Sequence, residues 1–255
     1  MTYNKKIGLC LSGGGARGFA HLGVLQAFDE LEIPIAKISG SSAGAFAAFF
    51  YAAGYSPFES LEIIQKRNFW SYAAFRPGKM GFMSLAKTKN ILEQLHSKNT
   101  FESLRIPVAV CATNISKGRA DFFTQGKLSE PVIASAAVPV IFKPVKINGD
   151  LYLDGGLSNN LPLEPLEDCN YNIAVNVTPF HPRLPVKSMK SAILKAVYIS
   201  LDQQTRERAA KANLIIEPEG IMRFDGFKLK EAEPLFETGY KTALKILKEV
   251  DWSAI

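Results

Sequence analysis

Apolar positions along this chain follow two rhythms in turn. The stretches KIGLCLS (6–12), IPIAKIS (33–39), IPVAVCAT (106–113), NIAVNVT (172–178) and NLIIEP (213–218) are short and mostly apolar, as expected of strands buried on both faces. Between them the spacing becomes helical. Leu22, Val24, Leu25 and Phe28 recur one turn apart within 20–31, and further helices are expected over 43–53, 84–97, 188–211 and 233–249. A helix in SEPVIASAAVPVIF (129–142) should end near Pro139, because proline removes a helical hydrogen bond. Alternation of strand and helix implies an α/β fold with a mostly parallel sheet covered on both faces. No stretch reads as a linker, so 1–255 is expected to be a single domain.

Turn residues sharpen the boundaries. Gly54 suits a left-handed cap after helix 43–53, and Ser56, Pro57 and Glu59 carry the cap, first-turn and capping-box positions of the next helix. Lys117–Gly118 marks a turn, and YLDGGLSNNLPLEPL (152–166) is a turn-rich junction. The segment FWSYAAFRPGKMGFM (69–83) fits neither period; its aromatics and methionines could cover a cleft at a lipid surface or pack as a loop on the core.

Composition adds exclusions. At 47% apolar and 21% charged over 255 residues, the chain is globular rather than disordered. The net charge of +6, from 30 Lys and Arg against 24 Asp and Glu, is dispersed, a weak case for nucleic acid; it fits an anionic lipid surface or, as the favoured reading, a solvated basic surface without a partner. Three cysteines, Cys10, Cys111 and Cys169, form no C-x-x-C pair and no disulfide framework. MTYNKK is not followed by a secretory hydrophobic segment, and the apolar run 43–54 is too short to span a bilayer, so the expected location is cytoplasmic.

Candidate chemistry concentrates in three glycine-framed motifs. GSSAG (40–44) fits G-x-S-x-G between a strand and a helix, with Gly40 and Gly44 leaving room for a sharp turn that exposes the Ser42 hydroxyl. Ser41, the rival hydroxyl, lacks that frame. A serine needs a base. Asp154, opening DGG (154–156), could accept its proton or could simply form an Asx turn. GGG at 13–15 precedes a helix, and its amides could receive the oxyanion of an attacked acyl carbonyl. Arg17 either orders this loop or meets an acidic headgroup. Of the histidines, His21 shares an apolar helix face, His96 falls at a helix end, and His181 would complete a Ser-Asp-His order.

GGGARG (13–18), GSSAG (40–44) and DGG (154–156), in that order and with ASAAVP (134–139), FKPV and NNLP as supporting segments, resemble the patatin-like phospholipase family. The resemblance covers about 6–180. It implies a three-layer α/β/α fold and hydrolysis of phospholipid, lysophospholipid or other lipid acyl esters without metal or cofactor. Ser42 would be the nucleophile, Asp154 the base, and Gly13, Gly14 and Gly15 the oxyanion hole, with Arg17, Gly18, Gly40, Gly44, Gly155 and Gly156 supporting them. Ala137 stands where many relatives carry serine. Its substrate would be a lipid or acyl ester, met in transient contact with a membrane surface.

Two alternatives differ in chemistry. One is an α/β-hydrolase-type esterase using His181 with Ser42 and Asp154, although there the nucleophile follows more strands than the two expected here. The other is a nucleotide-binding protein using Gly13, Gly15 and Gly18 as G-x-G-x-x-G, but residues 33–40 supply no acid for a ribose, and Phe19 stands where a Walker loop needs lysine.

Overall fold

The computed structural model describes residues 6–67, 74–75, 83–139, 141–179, 186, 189–226, 228–252 and 255. Most of the segment 69–83, and His181, lie outside the described residues.

In chain order the strands are β1 (Ile7–Leu11), β2 (Lys37–Ser41), β3 (Ala74–Phe75), β4 (Met83–Ser84), β5 (Val108–Asn114), β6 (Arg119–Phe123), β7 (Val145–Ile147), β8 (Asp150–Leu153), β9 (Tyr171–Val175) and β10 (Leu214–Ile216). The helices are α1 (Phe19–Glu30), α2 (Ala43–Ala52), α3 (Pro57–Arg67), α4 (Ala86–Leu95), α5 (Ser129–Ser135), α6 (Met189–Ala209) and α7 (Ala232–Lys248). One sheet runs β10-β9-β1-β2-β5-β8-β7, with β6 also paired to β5; β3 and β4 form a separate antiparallel pair. The five strands from β10 to β5 are mutually parallel, while β6, β7 and β8 join as antiparallel additions.

Both faces of the parallel strands are covered, which explains their unbroken apolar runs. On one face Ile7, Leu9 and Leu11 of β1 and Ile173 and Val175 of β9 enter the main core, together with Leu22 and Phe28 of α1 and Phe49 and Phe50 of α2. On the other face the alternating positions Cys10 and Ala174 are small. They pack against Leu161, Leu163 and Leu166 and against Ala209 at the end of α6. The result is the expected α/β/α layering.

Two boundaries moved for physical reasons. Strand β2 begins at Lys37 rather than near residue 33, because Pro34 has no N–H for a ladder and Ile33 instead donates to the Phe28 carbonyl to close α1. Helix α5 ends at Ser135, short of Pro139: the amides of Ala136 and Ala137 turn back to Ile133 and Ala134, three residues earlier. That tightened end faces the ends of β2 and β8.

Candidate active site

Sheet register alone brings Ser42 and Asp154 to one rung. Ser41 pairs with Cys111 across β2 and β5, and Thr113 pairs with Leu153 across β5 and β8. One step further places Ser42 and Asp154 on either side of Ala112, about 10 Å apart at the backbone for two strand spacings of ~4.8 Å. Side chains close the gap: Ser42 Oγ donates to Asp154 Oδ2 at 2.7 Å.

A sharp turn aims the hydroxyl. Ser42 sits at φ 50° and ψ −117°, a strained conformation for a residue with a side chain, directly before α2. The turn is possible because a Cβ on Gly40 would meet the Gly44 backbone at 2.6 Å, and one on Gly44 would meet the Leu11 and Ser12 backbone. The Ser42 amide donates to Ser135 Oγ at 2.7 Å, so the end of α5 pins the strained residue.

The acid is held just as firmly. Its amide donates to the Ala137 carbonyl at 3.0 Å, Thr113 Oγ1 donates to its carbonyl at 2.7 Å, and its second carboxylate oxygen accepts from the Gly156 amide at 2.8 Å. The Asx turn and the Ser42 bond therefore coexist, one on each oxygen. Burial pushes the Asp154 carboxyl up to about 6, against the Ser42 and Gly156 hydrogen bonds, which favour the charged form. A base with that affinity is ionised at neutral pH yet able to take a proton from an attacking hydroxyl.

The glycine loop crosses the top of β1. Gly13 donates to the Asn160 carbonyl at 3.1 Å and Ala16 to the Gly226 carbonyl at 2.7 Å, whereas the amides of Gly14 and Gly15 have no acceptor among the described residues. Gly13, expected as an oxyanion donor, is thus occupied in anchoring the loop. Gly15 has φ +57°, which glycine adopts without strain. Gly18 lets α1 approach α2: a Cβ there would touch the Ala43 side chain. Arg17 is buried, with Nε donating to the Phe224 carbonyl at 3.1 Å. Gly155 packs against Ser41 and the Cys111 carbonyl.

The remaining candidates lie apart from this pair. Ser41 Oγ is buried without a hydrogen-bond partner. His21 is fully buried, its Nε2 donating to the Ser12 carbonyl at 2.8 Å, and burial lowers its pKa to about 4. His96 pairs with Ser103 Oγ at 2.6 Å. Among the described residues no imidazole stands between Ser42 and Asp154, and no cluster of three metal-ligating side chains occurs. Sequence reading gave no individual role to Ser135, Thr113 or Asn160, although Ser135 lies in ASAAVP and Asn160 in NNLP, two supporting segments of the resemblance.

Comparisons with known proteins follow the same outline. The patatin-like phospholipase family matches residues 9–167. An uncharacterised NTE family protein of Mycobacterium tuberculosis is 30% identical over 175 residues, covering 68% of this chain and 49% of its own length. Lysophospholipase NTE1 of Eremothecium gossypii is 32% identical over 194 residues, 71% of this chain and 12% of that protein. The chain therefore spans about half the length of the mycobacterial relative. In fold it is similar to VipD from Legionella pneumophila, with a TM-score of 0.53 and 17% identity over 96% of this chain and 67% of that one.

Proposed function

Because the chain belongs to the patatin-like phospholipase family, we propose that it is a serine hydrolase of lipid acyl esters, phospholipids or lysophospholipids among them, working through a Ser42–Asp154 dyad. The observation that carries this reading is the direct 2.7 Å hydrogen bond between the two side chains in a buried, strained turn. Ser42 Oγ attacks the acyl carbonyl carbon while Asp154 Oδ2 takes its proton. The carbonyl oxygen, now anionic, is received by the amides of Gly14 and Gly15, which have no acceptor among the described residues, with Gly13 fixing the loop through Asn160. The ester C–O bond breaks, the departing alcohol takes the proton from Asp154, and an acyl-serine remains. Water then attacks that acyl group while Asp154 takes its proton, the C–Oγ bond breaks, Ser42 Oγ recovers the proton from Asp154, and the fatty acid leaves.

The same reading makes the protein a single hydrolase domain acting on lipid from the cytoplasmic face of a membrane, in transient contact with its surface. No helix among the described residues is long and apolar enough to cross a bilayer.

The experiment is release of p-nitrophenol from short-chain esters and of fatty acid from lysophosphatidylcholine vesicles. Wild type should act on both, and folded Ser42→Ala and Asp154→Asn on neither. Full activity in Ser42→Ala would remove the dyad from the account.

A further inference from the structure

Beside the dyad, an apolar groove leaves the glycine loop and runs between the first three helices. It is lined by Gly15, by Ala43, the residue after Ser42, and by Leu22 of α1, Ala47 of α2 and Ile64 of α3; Leu22 and Ala47 stand about one helical turn beyond Phe19 and Ala43. It is open to solvent, and among the described residues only glycines and apolar side chains line it. Helix geometry produces it. Ala43, Phe46 and Ala47 share one face of α2, and Phe19 and Leu22 share one face of α1. Small residues at 43 and 47 keep α2 from filling the gap.

We propose that this groove binds the acyl chain of the substrate, and that Leu22, Ala47 and Ile64 set how much of that chain is recognised. The inference rests on the hydrolase reading above and adds a direction and an end point to it. An ester whose carbonyl lies between Ser42 and the Gly14–Gly15 amides has two substituents to place. The glycerol or headgroup side carries oxygens and charge, and a groove without a polar side chain offers those nothing. The hydrocarbon side loses water there at no such cost. From Ala43 to Ala47 the groove follows one turn of α2, roughly 6 Å. On that assignment the groove reads the part of the acyl chain nearest the carbonyl, with Ile64, the half-buried lining residue of α3, as its end wall.

The test is kcat/KM for p-nitrophenyl esters from acetate to decanoate in wild type, Ile64→Trp and Ile64→Ala, with fluorophosphonate labelling of Ser42 run in parallel. Wild type should gain about fourfold per methylene while the groove fills, then level off. Ile64→Trp should lower the octanoate-to-acetate ratio at least tenfold, and Ile64→Ala should carry the rise to longer chains. Because the two variants act in opposite directions, misfolding of the tryptophan variant leaves the alanine variant decisive. Ratios that match wild type in every folded variant, with Ser42 still labelled, overturn the groove as the acyl site and leave it a packing seam. Absence of both labelling and hydrolysis in wild type overturns the hydrolase reading itself, and the groove assignment with it.

Discussion

Asp154 and His21 are two buried titratable groups near one end of the sheet, and burial drives both toward neutrality. The outcomes differ. His21, lowered to about 4, is uncharged at neutral pH and its Nε2–H holds the carbonyl that precedes the glycine loop. Asp154, raised only to about 6, stays charged at neutral pH because Ser42 and Gly156 hydrogen-bond its two oxygens. Desolvation is common to both regions; the hydrogen-bond donors around Asp154 keep a charge where chemistry needs one, and their lack around His21 leaves a structural strut. One group is poised to move a proton, the other to hold a loop.

The sharpest break of that contrast is Ser42→Ala, expected to lower kcat by about 10⁶-fold, the scale of losing a serine nucleophile. Asp154→Asn should follow at about 10²–10⁴-fold, the usual value of general-base catalysis. In wild type, kcat/KM should rise with pH to a plateau with a midpoint near 6, since only ionised Asp154 accepts the proton. A flat profile from pH 5 to 8 would separate Asp154 from the proton transfer. Gly15→Ala comes next: its φ of +57° strains any Cβ, and a displaced amide should cost about 10²–10³-fold in kcat with little change in KM.

Thermal melting sharpens the same contrast at smaller amplitude. The raised carboxyl of Asp154 contributes stability that is full below its unfolded pKa of 3.8 and is lost as pH rises through about 6. Asp154→Asn should therefore melt higher than wild type at pH 8, by up to roughly 3 kcal/mol, and equal it at pH 4. His21 has the opposite sign. Its depressed pKa contributes stability that is present above 6.5 and lost as pH falls through about 4. His21→Gln keeps a donor for the Ser12 carbonyl and should flatten the acid side of the melting curve, leaving the pH 8 melting point within a few degrees of wild type.

Much of this architecture was legible because the physics that makes it is local. Continuous apolar runs announced the parallel strands, and Ser56 and Glu59 form the capping box their spacing implied, with Glu59 N donating to Ser56 Oγ at 3.2 Å and Ser56 N to Glu59 Oε2 at 2.8 Å. Gly54 adopts the positive φ its position called for, at 98°. Ser42 and Asp154 stood out for the same reason: a strand-to-helix turn and a strand-end turn both demand glycines at fixed offsets. What stayed hidden depends on chain crossings. Nothing near Gly13 says that Asn160 will take its amide, and nothing in the 129–142 stretch says that Ser135 will receive the amide of Ser42, 93 residues away. The antiparallel strand β7 also escaped notice, since three residues are too few to show a period.

The most direct test of the central claim is the site and pH dependence of covalent labelling by a fluorophosphonate, followed by intact mass and peptide mapping. The dyad predicts one adduct, on Ser42 and not on the buried Ser41. Its rate should rise through pH 6 in wild type and fall at least a hundredfold in Asp154→Asn. An adduct on another residue, or a labelling rate indifferent to Asp154, would contradict it.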